Sequence, residues 1–480
     1  MTDFDKYEMT IGIECHVQLA TDTKLFSGAD NDARNKEPNL AISPVDFGLP
    51  GMLPVLNKQA VVLAVRAGKA LNAAIANVSR FDRKHYFYPD LPKGYQISQM
   101  YQPIILAGHV DAPLLEGGSV KVRVHHAHLE EDAGKLTHHG TYSLVDLNRA
   151  GTPLIEIVSE PDIHSAAEAK AYASELHKLM TYAGVTHGDL YHGNMRFDVN
   201  LSVALKGATE LGTRAEVKNL NSFRSVERAA EYEFIRQVEL LEKGQKIVQE
   251  TRGWDDATGK TSSQRSKEDA QDYRYMPDAD IPPIVLTDDE ITDMQSAVPE
   301  LPSVYREAWE SMGLDRSVTD SLLSRQPEAK LVKTIQEAAG DDTARRVAHW
   351  VVSAGNGDGE TALIASNFTP EAYIELAEMV GKNELSSTAA KEVFVELLTS
   401  EKTAREIAEA KNLLQVSDES AIFEVVDAVL ADPASAQSIA DVKAGQDKAI
   451  GFLVGQVMKK SAGKANPALA QKLIRQRLEL

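Results

Sequence analysis

Glu14 and His16 stand two residues apart in a run where Met9, Ile11, Ile13, Cys15, Val17 and Leu19 alternate with Thr10, Gly12, Glu14, His16 and Gln18. In a β-strand, residues two apart share a face. The carboxylate and the imidazole therefore point the same way and can reach one cation. Two more segments offer acids. His128-Leu-Glu-Glu-Asp-Ala-Gly-Lys135 packs three of them before a glycine and a lysine, and Leu154-Ile-Glu-Ile-Val158 sets Glu156 in the middle of an apolar run. A carboxylate there is costly unless a cation or a donor meets it. Carboxylates with one imidazole suit a hard divalent ion such as magnesium or manganese, with positions left open to water and phosphate oxygens. Zinc would more often recruit several His or Cys. A lone Glu-x-His pair also has plain structural uses, and the residues by themselves leave that reading open.

Other polar strand faces extend the pattern. Arg196, Asp198, Asn200 and Ser202 alternate with Met195, Phe197, Val199, Leu201 and Val203, and Arg214, Glu216 and Lys218 alternate with Ala215 and Val217. If these strands are neighbours, one sheet presents a surface of acids and bases. If they are not, the faces are ordinary wet surface. Lys84, Lys93, Lys135, Arg149, Arg196, Arg214 and Arg252 lie in or beside these segments. Arginine forks match phosphate geometry, and lysine supplies a point charge. Gly253-Trp-Asp-Asp-Ala-Thr-Gly259-Lys260-Thr261 imitates a phosphate-binding P-loop but has five residues between its glycines instead of four. With nothing strand-like read ahead of Gly253 and no helix after Thr261, it is set aside. Cys15 sits on an apolar strand face and reads as core. There is no Gly-x-Ser-x-Gly elbow, so hydrolysis by a covalent nucleophile is not expected of this chain alone.

The elements that must position these residues change character along the chain. Up to about Leu286, strands with one apolar face mix with two helices, Ser165 to Ala183 and Ser222 to Lys243, the second stopped by Gly244. One-sided strands usually pair antiparallel. Strands and helices do not alternate regularly, so the fold class expected is α+β. From Asp288 the pattern is helix, short turn, helix, with a further shift near Ser400. The boundaries read are 1–290, 291–400 and 401–480.

The 480 residues suffice for roughly two to four domains, and 43 % hydrophobic with 25 % charged residues is ordinary for a soluble globular protein. With one cysteine, neither an intrachain disulfide nor a cysteine-cluster zinc site can form. The first residues, Met1-Thr-Asp-Phe-Asp-Lys-Tyr, lack an apolar signal core. No apolar run approaches the roughly 18 residues that span a bilayer. A cytoplasmic protein without membrane contact is expected. The net charge of -20 argues against non-specific nucleic-acid binding. The stretch from Asp441 to Leu480 runs the other way, with eight Lys or Arg against three Asp or Glu. It suits an RNA-contacting element or a solvated helical face.

Several long strings closely resemble one family, the B subunit of the aspartyl/glutamyl-tRNA amidotransferase. They are Ile11-Gly-Ile-Glu-Cys-His-Val-Gln-Leu19, Phe81-Asp-Arg-Lys-His-Tyr-Phe-Tyr-Pro-Asp90, Tyr95-Gln-Ile-Ser-Gln99 and Leu129-Glu-Glu-Asp-Ala-Gly-Lys135. To these add Leu144 through Asp162, Val217-Lys-Asn-Leu-Asn-Ser-Phe223, Asp272-Tyr-Arg-Tyr-Met-Pro277, Gly451 through Lys459 and Gly463-Lys-Ala-Asn-Pro467. The resemblance implies a glutamine-synthetase-like cradle with an antiparallel sheet, then an all-α helical domain and a small helical tail. It implies a complex with an amidase A subunit and a small C subunit. The reaction it implies is ATP-dependent phosphorylation of the side-chain carboxylate of Glu-tRNA(Gln) or Asp-tRNA(Asn), followed by amidation with ammonia from the amidase.

On that basis Glu14, His16, Glu131 and Glu156 are expected to hold magnesium. Lys135, Arg149, Arg196 and Arg214 are expected on ATP phosphates, with Lys84 and Lys218 as further catalytic candidates. Lys459, Lys460, Lys464 and Arg475 are expected on the tRNA body. Some family members carry a cysteine-based zinc site; this chain, with Cys15 alone, is expected to have none. Two other readings fit parts of the pattern: a stand-alone magnesium-dependent kinase or ligase for a small carboxylate, and a non-catalytic tRNA adapter. The first would need no tRNA, and the second would tolerate loss of Glu14 and Glu156.

Overall fold

The alternation at the start of the chain becomes strand β1 (Tyr7–Gln18), whose Ile11, Ile13, Cys15 and Val17 are buried while Thr10, Gly12, Glu14, His16 and Gln18 stay half-exposed. This strand and its neighbours form the centre of one unit, Met1–Pro302; a second unit is Ser303–Leu480. The computed structural model describes residues 3–266, 272–355, 369–400, 402–415, 419–444, 446–461 and 465–479.

In the first unit the strands that follow are β2 (Val78–Ser79), β3 (Asp82–His85), β4 (Tyr95–Ser98), β5 (Gly108–Pro113), β6 (Ser119–Glu131), β7 (Lys135–His139), β8 (Tyr142–Asp146) and β9 (Pro153–Ser159). Then come β10 (Met195–Leu205), β11 (Ala215–Leu220), β12 (Glu250–Asp255), β13 (Lys260–Ser266), β14 (Met276–Pro277) and β15 (Ile284–Val285). Its helices are α1 (Lys58–Ala70), α2 (Ala166–Tyr182), α3 (Phe223–Glu242) and α4 (Asp288–Ser296).

Eight strands form one sheet in the order β13-β12-β11-β10-β1-β9-β6-β5. Every adjacent pair is antiparallel except β11 with β12. Helices α2 and α3 begin at Ser165 and Ser222, whose side chains accept from Glu168 N and Ser225 N and so satisfy first-turn donors. Their apolar stripes, Tyr172, Leu176 and Met180 on α2 and Val226, Ala230 and Val238 on α3, join the odd residues of β1 and Phe197, Val199 and Leu201 of β10 in one core. Each fully buried Val, Leu, Ile, Phe or Met among them contributes about 1.5–3 kcal/mol relative to exposure. The other face of the same strands carries the polar residues. The fold is thus mixed α/β with a large, mostly antiparallel sheet.

The near-P-loop run is a β-hairpin. Gly253 lies inside β12, where the sequence suggested no strand, and β13 begins at Lys260. Thr261 opens no helix but continues that strand, so the P-loop remains excluded.

The second unit is helical, opening within α5 (Pro302–Ala308), whose first residue is the last of the first unit, and continuing with α6 (Arg316–Leu323), α7 (Gln326–Ala339), α8 (Asp341–Gly355), α9 (Pro370–Gly381), α10 (Ser387–Leu397), α11 (Ala404–Ala410), α12 (Glu419–Leu430), α13 (Ala436–Lys443), α14 (Ile450–Lys460) and α15 (Pro467–Leu478). Ile422, Val426, Val429, Leu453, Val457, Leu473 and Ile474 from the last helices form a core of their own. Among the described residues no helix is long and apolar enough to cross a membrane.

Candidate functional site

Strand register decides which polar residues meet. Across β1 and β9, His16 lies opposite Glu156; across β9 and β6, Glu156 lies opposite His128. Glu156 Oε2 is 3.3 Å from His128 Nε2 and 3.8 Å from His16 Nε2. Glu130 completes the group, its Oε1 3.5 Å from His16 Nε2 and its Oε2 3.8 Å from His128 Nε2. One ligand atom from each of His16, Glu130 and Glu156 lies within 4.8 Å of the others.

A second acid group adjoins it along the same face. Glu14 lies opposite Asp198 in the β1–β10 ladder, and Asn200 lies opposite Glu216 in the β10–β11 ladder. Glu14, Asp198 and Glu216 again bring their ligand atoms within 4.8 Å of one another. Lys218 Nζ donates to Asp198 Oδ2 at 2.9 Å and lies 3.0 Å from Glu216 Oε1. Asn200 Nδ2 donates to Glu14 Oε1 at 3.0 Å, and Thr251 Oγ1 to Glu216 Oε2 at 2.8 Å.

The electrostatics follow. Burial, then the charges of Glu156, Glu216 and Asp198, push the Glu14 carboxyl up. Burial works against the charge of Glu156, but the His128 hydrogen bond and the His128, His16 and Lys84 charges hold it well below the usual carboxylate range. Burial also opposes a charge on His128, and its hydrogen bonds to Glu130 and Glu156 overcome that and raise it to about 9. Burial opposes the Lys84 ammonium too, and Glu130, Tyr275 and Glu156 outweigh it, so its pKa is raised. Lys218 behaves the same way, held up by Asp198 and Glu216 against burial. Carboxylate and imidazole donors at these separations fit hard divalent cations, which would also relieve the repulsion among the acids around Glu14.

The basic residues gather at Asp132. Arg196 donates to Asp132 Oδ2 at 3.0 Å, and Arg149 Nε lies 3.3 Å from the same oxygen. Arg149 also donates to the carbonyls of Ala133 and Gly134. Its loop is tightly held. Lys24, fully buried, donates to the Ala150 carbonyl at 2.5 Å and stands 3.8 Å from Asp46. Asn39 Oδ1 accepts from Leu147 N, and Asn148 Oδ1 accepts from Ala41 N. Arg214 is exposed and lines a cavity of about 220 Å³ with Gly12, Glu14, Asn200 and Ser202. Lys135 is exposed at the start of the β7–β8 hairpin, opposite Asp146, and is not brought to either acid group.

Of the four residues expected to hold metal, the structure brings His16 and Glu156 together and puts Glu14 in the adjoining group. Glu131 joins neither. It is buried, accepts from Lys93 Nζ and from Ile97 N, and faces away from the acids. A bulge is the reason. Val122 and Val124 face the core, the register shifts between Val124 and His126, and beyond it Ala127 and Leu129 face the core instead. That extra residue inverts the phase of β6, so His128 and Glu130 take the polar face. Simple alternation from Val122 and Val124 would place Glu131 there.

Glu130, His128 and Asp132 were thus not among the expected site residues. Neither were Asp198 and Glu216, although the alternation of their strands already put them on the polar face. Lys459 and Lys460 end α14, and Arg475 lies on α15. Lys460 donates to the Ala428 carbonyl and stands 3.3 Å from Asp432. Lys464 lies outside the described residues.

The profile of the GatB/GatE catalytic domain matches residues 9–292, and that of the GatB domain matches residues 331–478. The chain is 44 % identical to the B subunit of the aspartyl/glutamyl-tRNA(Asn/Gln) amidotransferase of Geotalea uraniireducens, covering 98 % of this chain and 99 % of that one. It is 46 % identical to the B subunit of Halorhodospira halophila, covering 99 % of each. With that of Persephonella marina it shares 43 %, over 99 % of this chain and all of the relative.

Proposed function

The chain belongs to the family of aspartyl/glutamyl-tRNA(Asn/Gln) amidotransferase B subunits, and from that premise we propose that its acidic sheet face is where ATP activates the side-chain carboxylate of Glu-tRNA(Gln) or Asp-tRNA(Asn) for amidation. The observation that carries this reading is the pair of acid groups, His16/Glu130/Glu156 and Glu14/Asp198/Glu216, side by side on one sheet face and edged by Lys84, Lys218 and Arg196. Among the described residues these are the two groups of three His, Asp or Glu side chains close enough to share an ion, and both stand beside cations.

A carboxylate is a poor electrophile. Transfer of the γ-phosphoryl group of ATP to its oxygen releases ADP and gives an acyl phosphate, and attack by ammonia then expels phosphate and, with loss of a proton from nitrogen, leaves the amide. Magnesium held by His16, Glu130 and Glu156, and by Glu14, Asp198 and Glu216, would neutralise the transferring phosphoryl group. Arg149, Arg196 and Arg214 orient phosphate oxygens, and Lys84 and Lys218 supply positive charge beside them. Asp132 keeps Arg149 and Arg196 extended towards one point. Lys135, on its exposed hairpin, is the weakest of the phosphate candidates. His128 braces Glu130 and Glu156.

Residues 1–290 serve as a catalytic cradle of glutamine-synthetase type, 291–400 as a helical domain and 401–480 as a tail that meets the tRNA body through Lys459, Lys460, Lys464 and Arg475. The partners are an amidase A subunit that frees ammonia from glutamine and a small C subunit. The relatives' designation as one lettered subunit of an amidotransferase supports a multi-subunit assembly. The test is to mix the chain with ATP, magnesium, ammonium and Glu-tRNA(Gln) or Asp-tRNA(Asn), with and without the partner subunits, and assay the amidated aminoacyl-tRNA. Amidation that needs ATP and tRNA is expected. Turnover of a free carboxylic acid with no need of tRNA would replace this reading by a small-molecule ligase.

A further inference from the structure

Two segments singled out in the sequence, Phe81–Asp90 and Asp272–Pro277, have no part in the chemistry above beyond Lys84, yet the fold joins them beside the acids. β14 pairs with β3, Met276 opposite Arg83, and β3 pairs with β4, Lys84 opposite Gln96. His85 N donates to the Tyr273 carbonyl at 2.8 Å.

The result is a chain of aromatic rings. Tyr86 and Tyr273 are 6.3 Å apart, Tyr273 and Tyr275 6.1 Å, and Tyr275 and Tyr101 6.4 Å, each pair edge to face. Lys84 Nζ stands 4.9 Å over the Tyr273 ring. At the outer margin, Phe87 is 88 % exposed, Tyr101 64 % and Tyr88 52 %. Arg80 and Arg274 are exposed nearby in the chain. Phe87 and Tyr88 follow Tyr86 in the chain, and Tyr101 is the last ring of the series; a fold has no need to leave so many large rings in water, and exposed apolar side chains gathered in this way mark a binding surface.

Aromatic faces interleaved with Lys and Arg are the surface that single-stranded nucleic acid stacks on. Met100 and Met276 are exposed with the rings, but the rings outnumber them, and Lys84, Arg80 and Arg274 among the rings suit a polyanion. The strip is also tied to the strand that carries Glu130: Lys84, which lies against Tyr273, stands opposite Gln96, and Gln96 Nε2 donates to the Glu131 carbonyl at 2.7 Å.

We infer that this aromatic strip is the platform on which the unpaired 3′ nucleotides of the misacylated tRNA stack, so that the aminoacyl group on the terminal ribose is delivered to the acid groups. The inference rests on the function proposed above and deepens it by assigning the strip to single-stranded RNA.

The test uses the full chain with its partner subunits and the variants Phe87→Ala and Tyr101→Ala. Three quantities are read: steady-state amidation of misacylated tRNA, quenching of a 2-aminopurine base in a short single-stranded RNA ending in CCA, and co-elution of the subunits. Each variant is expected to raise KM for the tRNA about tenfold, the order of one lost base–aromatic stack, with kcat within about twofold. Quenching seen with the unsubstituted complex should be lost, and subunit co-elution kept. Quenching that persists in both variants overturns the inference. So does loss of co-elution with quenching intact, which would make the strip a subunit interface. A complex that quenches the RNA but amidates nothing would leave the platform standing and sink the proposed reaction.

Discussion

Glu130 and Glu131, adjacent in the chain, point to opposite faces of β6: Glu130 Oε1 lies 3.5 Å from His16 Nε2, while Glu131 is buried against Lys93. Glutamine at the two positions therefore has two different consequences. Glu130→Gln should lower ATP-dependent amidation by at least about a hundredfold, since even partners outside a metal's ligand shell cost roughly 10–100-fold, with the urea midpoint not lowered. Glu131→Gln takes the counter-charge from Lys93, whose side chain is 10 % exposed, and should cost on the order of 3 kcal/mol of stability. The folded enzyme should keep kcat within a few-fold. Reversed phenotypes would return Glu131 to the metal site.

Glu156 is set between two imidazoles, opposite His16 on one side and His128 on the other. Glu156→Gln keeps the shape and removes the charge. It should abolish acyl phosphate formation in a rapid-quench assay and leave tRNA affinity within about twofold. Acyl phosphate formed at near the unsubstituted rate would show that Glu156 holds no cation.

Much of this site is legible in the chain, for a physical reason. Alternation in Met9–Leu19, Met195–Val203 and Arg214–Lys218 defines faces, because a one-sided sheet must bury one of them. What the sequence does not carry is neighbourhood. That β10 and β11 follow β1 on one side, and β9 and β6 on the other, is settled by long-range pairing, and only then do Asp198 and Glu216 join Glu14. The bulge beside His125 is a second case. Nothing in Val124-His-His-Ala-His128 says that one residue will be left out of the ladder, yet that residue decides which of two adjacent glutamates meets His16 and His128. A third is the tail. Composition shows its excess of Lys and Arg, but not that Lys460 and Arg477 already face Asp432 and Asp427.

Gly151 has φ +82°, and a Cβ there would lie 2.4 Å from Asp46 Oδ1. Asp46 in turn accepts from Ser27 and Ser43 and neighbours the buried Lys24. Gly151→Ala should cost about 1–3 kcal/mol for the left-handed backbone alone, and more if Asp46 moves. Because Arg149 lies in this loop, KM for ATP should rise with it. Unchanged thermal stability and unchanged KM would show the loop to be more compliant than its hydrogen bonds indicate.

His177 supplies a pH test away from the acids. Burial on α2 pushes its pKa down, and its Nε2 lies 2.8 Å from the Gly188 carbonyl, which works the other way. Above about pH 6.5, the ordinary histidine value, both folded and unfolded forms are neutral here and stability is intact. Below it the unfolded chain takes up the proton first, so stability falls as pH drops towards the depressed folded value. Hydrogen-exchange protection of α2 should decline from pH 7 to pH 5, and His177→Gln should flatten that decline. An equally steep decline in the variant would assign the effect to other groups.

The tail has a core of its own. Deleting everything from Asp441 would strip Leu453, Val457, Leu473 and Ile474 from Ile422, Val426 and Val429, so loss of tRNA binding could reflect unfolding. Substitution at the surface avoids this. Lys459 is exposed at the end of α14, and Arg475 is half-exposed on α15. If they contact tRNA phosphates, each contact releases counterions and adds about 0.7–0.9 to the slope of log affinity against log salt. Lys459→Ala with Arg475→Ala should raise KM for aminoacyl-tRNA at low salt, leave kcat unchanged and flatten that slope by between about one and two units. Helical content and melting temperature, measured alongside, should stay put. A doubly substituted enzyme with the original slope would make these residues a solvated face.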